Sequence, residues 1–319
     1  MNEPPVSVVI ETITARYNSE PGSLPQNLAA TMEGLNRQSY PAQMIERIIV
    51  LDAEVAGAEA DEISRRWPGA KLVSSLACNY FAAKNVGAAA ANGEIIALLD
   101  SDCVPQPTWL EMLVSRLDPG VAAVGGRSRY AQTSFSARAL SVPHFAYVLA
   151  EENGVASGFN IHNVAFRRDV LLSHPFETRI RRDGGCYLLF HQLRAEGATI
   201  LHEPRALAYH GLDFRGLGFV RKHFNRGYDG VAVYRLDRRG VLRGTSWLQR
   251  FGAAGLVAIT ARRILRDWRR MLLHHRQIEI TVMSLPYFFI LAVITRLIEL
   301  AGGLMATIKS KPPRYETLC

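Results

Sequence analysis

The sequence predicts an α/β fold over residues 1–214, a mostly parallel sheet flanked by helices, followed by a basic, apolar, helical C-terminal extension over residues 215–319. Two observations carry the sheet. Short β-branched runs alternate with amphipathic stretches of about ten to fifteen residues, the rhythm of βαβ units. Two of those runs end in carboxylates, Asp52 and Asp100, and parallel sheets bind ligands outside the carboxyl ends of their strands. The extension follows from charge. Residues 215–276 hold 15 Arg or Lys against three acids, a balance of +12, so the rest of this +8 chain carries −4. Such asymmetry calls for a polyanionic partner: lipid head groups, a diphosphate or a nucleic acid.

Taken in order, residues 6–13 (VSVVIETI) form the first strand and residues 24–35 a helix. Residues 47–52 (RIIVLD) are the second strand, and an Ala/Glu/Arg-rich helix runs up to Trp67. Residues 71–75, 81–91 and 94–99 supply the third strand, an Ala-rich helix and the fourth strand. Beyond the strand at 121–126 the sequence predicts helices around 137–150 and 187–196, then two short strands at 199–202 and 205–210. A composition of 48% hydrophobic and 21% charged residues supports a sizeable core and excludes global disorder. Four scattered cysteines without a CxxC exclude a disulfide scaffold or a Cys-type zinc site and fit a reducing compartment. The opening MNEPPVSVVIETI has neither the basic region nor the cleavage site of a signal peptide.

Residues 280–308 contain only two charges, Arg296 and Glu299, spaced to pair on one side of a helix. Their uncharged part, 280–295, spans about 24 Å as a helix, short of the ~30 Å hydrocarbon core. A core helix, an interfacial membrane helix and a true span are all open. The flanking RRILRDWRR and KSK runs favour a membrane surface.

Chemistry concentrates in AAKNVGAAAANGEIIALLDSDCVPQPTWLE, residues 82–111. Here a hydrophobic strand delivers Asp100 and Asp102, one residue apart, at its carboxyl end. Carboxylates so placed suit a hard divalent cation that neutralises a diphosphate. An isolated Asp-x-Asp is also an ordinary polar strand cap. The KNxGxxxAxGE stretch ahead, with Pro105 and Trp109 behind, reverses that reading.

This block resembles the nucleotide-sugar-binding half of the family 2 glycosyltransferases, enzymes of the Rossmann-like GT-A fold. Their pattern runs (R/K)NxGxxxAxGexixfLDxD, followed by a Pro and a Trp-Leu pair. The VSVVIET and RIIVLD strands extend the resemblance over about the first 215 residues, as a nucleotide-binding half (1–102) and an acceptor half (103–214). It implies a sugar moved from a nucleotide-diphosphate donor, UDP favoured, to an acceptor with inversion, assisted by Mn²⁺ or Mg²⁺. On this resemblance Asp52 accepts a hydrogen bond from uracil, Lys84 faces the diphosphate, and Asp100 contacts the ribose or sugar beside Ser101. Asp102 is the metal ligand. Thr12 lines the nucleotide pocket, and Glu11 stands where a Pro is commoner. His210, in PRALAYHG, completes the metal site or contacts the diphosphate; imidazole suits Mn²⁺ better than Mg²⁺. Ser157, Gly158, Phe159 and Asn160 resemble the loop between donor and acceptor pockets.

One stretch departs from the family. In RRDGGCYLLFHQLRAEG, residues 181–197, inverting relatives carry a Glu-Asp pair whose Asp is the general base. Counting back from Leu193 and Gly197 places that pair on Gly185 and Cys186, or on Gly184 and Gly185. Asp183 is the nearest carboxylate and the candidate base, with Glu177 and His191 behind it. A base must come within about 3 Å of the hydroxyl it serves, directly or through a water. The alternatives are an acceptor that needs no base, or a non-catalytic nucleotide-sugar-binding protein. A nucleotidyltransferase needs a basic, glycine-rich loop after the first strand, and ITARYNSEPGSLP holds one Gly and one Arg. No helix-turn-helix, zinc-finger or RNP-like pattern supports a nucleic-acid partner. The tail points instead to a lipid-linked or saccharide acceptor at an anionic membrane surface. The corresponding location is the cytoplasmic side, peripheral or with one C-terminal hydrophobic helix.

Overall fold

The computed structural model describes residues 3–13, 22–55, 57–76, 79–132, 134–135, 137, 142, 144–145, 154–180, 182–211, 217–276 and 280–308. The strands are Val6–Glu11 (β1), Ile45–Asp52 (β2), Ala70–Ser75 (β3), Ile95–Asp100 (β4), Cys103–Pro105 (β5), Val121–Tyr130 (β6), Asn163–Arg167 (β7) and Thr199–His210 (β8). They form one sheet in the order β3-β2-β1-β4-β7-β6-β8-β5. β1 to β4 are parallel, whereas β7 runs antiparallel to β4 and β6, and β5 antiparallel to β8. Every residue of β1 and β4 is buried, the pattern of strands covered on both faces.

Helices Leu24–Asn36 (α1), Gly57–Arg66 (α2) and Trp109–Val114 (α4) cover one face. The other face is covered by Tyr80–Ala90 (α3), Arg168–Ser173 (α5) and Gly185–Ala195 (α6). Asn79 caps α3, its Oδ1 accepting from the Phe81 and Ala82 amides at 2.9 and 3.0 Å. The two short strands expected at 199–202 and 205–210 are instead one continuous β8. Pro204 has no N–H for the ladder, and the register to β6 skips from Glu203 to Leu207 at that point, a bulge rather than a break. The helix expected around 137–150 lies mostly outside the described residues.

The extension is built from Gly218–Leu236 (α7), Arg243–His274 (α8) and Leu285–Ile308 (α9). It shares the main core, since Val233 and Leu242 join the cluster under α3 and α6. Gly252 (φ 53°, ψ −125°) breaks α8 into two helical pieces. α9 is a helix long and apolar enough to cross a membrane, yet one face is buried in the protein. On that face Arg296 donates to Glu299 at 2.6 Å and to Asp267 of α8 at 2.7 Å. Tyr287, Ile290, Ile294 and Leu297 form an exposed apolar stripe.

α7 and α9 cross at glycines. A Cβ on Gly227 would overlap the Glu299 carbonyl, and one on Gly302 the Phe224 carbonyl. Backbone cannot yield as a side-chain tip can. Gly302→Ala should therefore cost about 1–3 kcal/mol, the usual range for overpacking. Chemical denaturation monitored by far-UV circular dichroism checks this; unchanged stability would mean that the helices do not meet here.

Candidate active site

The sheet brings the candidate carboxylates to one edge. β1, β2 and β4 run parallel, and Glu11 lies opposite Asp100 in register. Asp52 closes β2, buried, with its Oδ1 accepting from the Glu54 amide at 3.0 Å. The Thr12 hydroxyl donates to the Val50 carbonyl at 2.8 Å, which pins the end of β1 to β2. Ser101 is buried, its amide donating to the Glu11 carbonyl at 3.1 Å.

Asp100 is gripped from below by α3. Lys84 Nζ lies 2.5 Å from its carboxylate and donates to the Leu99 carbonyl at 2.8 Å. The Tyr80 hydroxyl donates to the same carboxylate at 2.9 Å. Tyr80 and Lys84 stand four residues apart, so they share the helix face that meets β4. Burial pushes the Asp100 carboxyl up, but the Lys84 ammonium outweighs it and holds the group below its ordinary value. Lys84, placed by resemblance toward a diphosphate, is 0% exposed and has its ammonium on Asp100.

Asp102 lies past the end of β4, with a side chain 27% exposed. Its carbonyl accepts from the Gly211 amide at 2.9 Å, and the next residue, Cys103, pairs with His210 in the β5–β8 ladder. That pairing brings His210 Nδ1 to 3.5 Å from Asp102 Oδ2. The ring of His162 stands edge-on to His210 with centroids 5.0 Å apart, and its Nε2 lies 2.9 Å from Ser128 Oγ. Burial pulls the His162 pKa down to about 3, so the ring is neutral and keeps a lone pair. Asp100, His162 and His210 offer ligand atoms within 4.8 Å of one another, as do Asp102, Cys103 and His210. Carboxylates with neutral imidazole fit a divalent cation of the Mn²⁺ type. The Cys103 thiol, pushed well up by burial, stays protonated and adds no thiolate.

Asp100, Asp102, His162 and His210 open into a cavity of about 950 Å³. Of the loop expected between the two pockets, Ser157 and Asn160 line it. Asn160 Nδ2 is buried there with no hydrogen-bond partner among the described residues. Gly158 is buried, and Phe159 turns into the core against Phe166 and Phe190 at 5.3 and 6.0 Å. Asp183 also lines the cavity, immediately before α6, its amide donating to Asp229 Oδ2 at 3.2 Å. Gly184 adopts φ 97°, and a Cβ on Gly185 would sit 2.5 Å from the Phe81 ring. A carboxylate at 185 has no room. His191 is in the cavity wall, whereas Glu177 is ion-paired to Arg179 at 2.5 Å outside it.

Sequence reasoning missed His162, Tyr80 and Lys222. The Tyr80–Lys84 spacing was a readable signal, as was a His two residues beyond Asn160. Lys222, facing the cavity from α7, is lowered to about 8 by burial, against the opposing charge of Asp183.

The family model for glycosyl transferase family 2 matches residues 12–173, just over half of the chain. The chain belongs to this family. As a family 2 glycosyltransferase it is 26% identical over 252 residues to the glycosyltransferase AglE of Haloferax volcanii, across 75% of this chain and 77% of that protein. Its fold matches the mannosyltransferase PcManGT from Pyrobaculum calidifontis, solved in complex with GDP-Man and Mn²⁺. The TM-score is 0.65 at 17% identity, covering 96% of this chain and 88% of the other. The curled, helix-flanked sheet of this glycosyltransferase is thus of the GT-A type.

Removing Lys84 leaves a buried carboxylate without its counter-ion. Lys84→Met should destabilise this glycosyltransferase by about 3–5 kcal/mol at pH 7. The Asp100 pKa is depressed in the native state, so the pair contributes above the unfolded value of about 4 and is lost as pH falls through the native one. The gap between wild type and variant should therefore narrow toward acid pH in denaturant titrations. A pH-independent gap would rule out the electrostatic account.

Proposed function

We propose that this glycosyltransferase moves a sugar from a UDP-linked donor to a lipid-linked acceptor at a membrane surface, by a metal-assisted displacement with inversion. One observation carries the reading: the Asp102–His210 pair and Asp183 face the same cavity. Asp102 with His210, or Asp100 with His210 and the neutral His162, are the groups that would hold the cation. When bound, a divalent cation offsets the charge of a departing diphosphate. Asp52 and Thr12 border the nucleoside end of the sheet edge beside Glu11. Asp100 and Ser101 border the ribose or sugar, with Asp100 kept charged and oriented by Lys84 and Tyr80 rather than by solvent. Asp183 takes the proton from the attacking hydroxyl, and the Asn160 amide is positioned to donate to a sugar.

The membrane part of the reading is supported by α9. A helix that buries its charged pair in the protein and exposes an apolar stripe suits the membrane interface better than a span. Exposed Leu265, Leu272 and Leu273 of α8 enlarge the apolar surface, and exposed Arg269 and Arg276 suit anionic head groups on the cytoplasmic side.

Calorimetric titration of UDP and GDP, with and without Mn²⁺, tests the donor site. Metal-dependent UDP binding should vanish in Asp102→Ala; GDP binding in its place would move the donor assignment, and no binding would defeat it. Asp183→Asn should lower kcat by about 10²–10⁴ with donor KM nearly unchanged. In sedimentation with phosphatidylglycerol vesicles the wild type should pellet and Ile290→Asp/Ile294→Asp should not. A wild type that stays in the supernatant would remove the membrane from the reading.

A further inference from the structure

The three carboxylates that line the cavity among the described residues, Asp100, Asp102 and Asp183, lie at its metal and base end, while eleven Arg or Lys line the whole. The surplus gathers where α6 faces α8. α6 presents Tyr187, His191 and Arg194 at helical spacing, and α8 presents Arg262, Arg263 and Arg266. The charges of Arg266 and Arg194 both act on His191, and those of Arg263 and Arg266 on Tyr234, so these side chains form one cluster. Two carboxylates answer it from behind. Glu299 pairs with Arg263 at 3.2 Å and with Arg296 at 2.6 Å, and Asp267 with Arg296 at 2.7 Å and Arg266 at 3.7 Å. Arg194 and Arg262 line the cavity from the two helices and are exposed, whereas Arg263, Arg266 and Arg296 are the members ion-paired from behind.

Like charges gathered on facing walls repel one another, screened in part because Arg194 and Arg262 are exposed, and the repulsion is relieved when an anion binds between them. The strong cations of the cluster are all arginines, and guanidinium groups match phosphate oxygens in pairs. We propose that the α6–α8 end of the cavity is a seat for a phosphate or diphosphate group carried by the acceptor. The chemistry required is an anionic phosphoryl group, supplied either by a lipid phosphate or by a soluble phosphorylated sugar. Assigning it to the acceptor rests on the glycosyltransferase reading above; the anion seat itself does not.

The test is calorimetric titration of the full-length protein with inorganic pyrophosphate in EDTA, which removes metal-dependent binding at Asp102. Wild type and Asp102→Ala should both bind pyrophosphate. Arg262→Gln/Arg266→Gln should bind about tenfold more weakly or worse, as loss of charge-assisted hydrogen bonds requires. Arg194→Gln, from the facing helix, should weaken it in the same direction and guards against a folding defect in α8. Binding unchanged in both variants, or absent from wild type, overturns the seat. Pyrophosphate binding in a protein that ignores UDP and GDP with Mn²⁺ would keep the seat and defeat the donor assignment instead. Farnesyl diphosphate binding more tightly than pyrophosphate, with farnesol silent, assigns the seat to a lipid phosphate. Equal binding of the two diphosphates assigns it to a soluble one and overturns the lipid source.

Discussion

The buried Lys84–Asp100 pair is the constraint around which the site is organised. A carboxylate at the end of a fully buried strand is tolerated only with a counter-ion and hydrogen bonds. α3 supplies both from one face: the ammonium of Lys84 and, a turn earlier, the hydroxyl of Tyr80. That requirement fixes the rotation of α3 over the sheet, and the Asn79 cap fixes where the helix begins. Two residues further on, the chain has left the strand and Asp102 meets solvent. Closely spaced acids thus receive different environments, one locked and one available.

Much of this was legible in the sequence because strands and their ends have local signatures. β1 to β4 fall within a residue or two of the β-branched runs, and Asp52, Asp100 and Asp102 sit at strand ends as their positions imply. The Asp102–His210 meeting was accessible only through the family resemblance, since it depends on β5 pairing with β8 across more than a hundred residues. His162 stood in view two residues beyond Asn160, but nothing local says that its ring will meet a His from another strand edge-on. Lys84 was assigned a direction from its family role, while its actual direction follows from helix phase against β4. The arginines of the extension were visible as a net charge. Their division between an exposed face and a cavity wall needed the placement of α8 across the cavity from α6.

The extension shares the core and the cavity wall of the preceding residues. α7 and α8 contribute cavity-lining residues, and α9 is tied to both through Glu299, Arg296 and Asp267. The glycine crossing at Gly227 and Gly302 lets α7 and α9 approach to backbone contact. An apolar helix therefore sits on the far side of the same elements that shape the cavity, with its charged residues turned inward.

Beside His210 a further polar chain crosses the molecule. Tyr130 meets His144 Nδ1, His144 Nε2 lies 2.8 Å from His223 Nε2, and His223 Nδ1 lies 3.2 Å from Glu299 Oε1. Burial pulls both imidazoles below their ordinary pKa, so each ring carries a single hydrogen. A carboxylate at one end then dictates every tautomer: His223 must donate to Glu299, His144 to His223, and Tyr130 to His144. All three hydrogens point the same way, from the sheet toward α9. The row is a polarised wire with a built-in direction, in which each bond strengthens the next. Extra protonation of His223 at Nε2 would put two hydrogens in the gap between the two rings and break it.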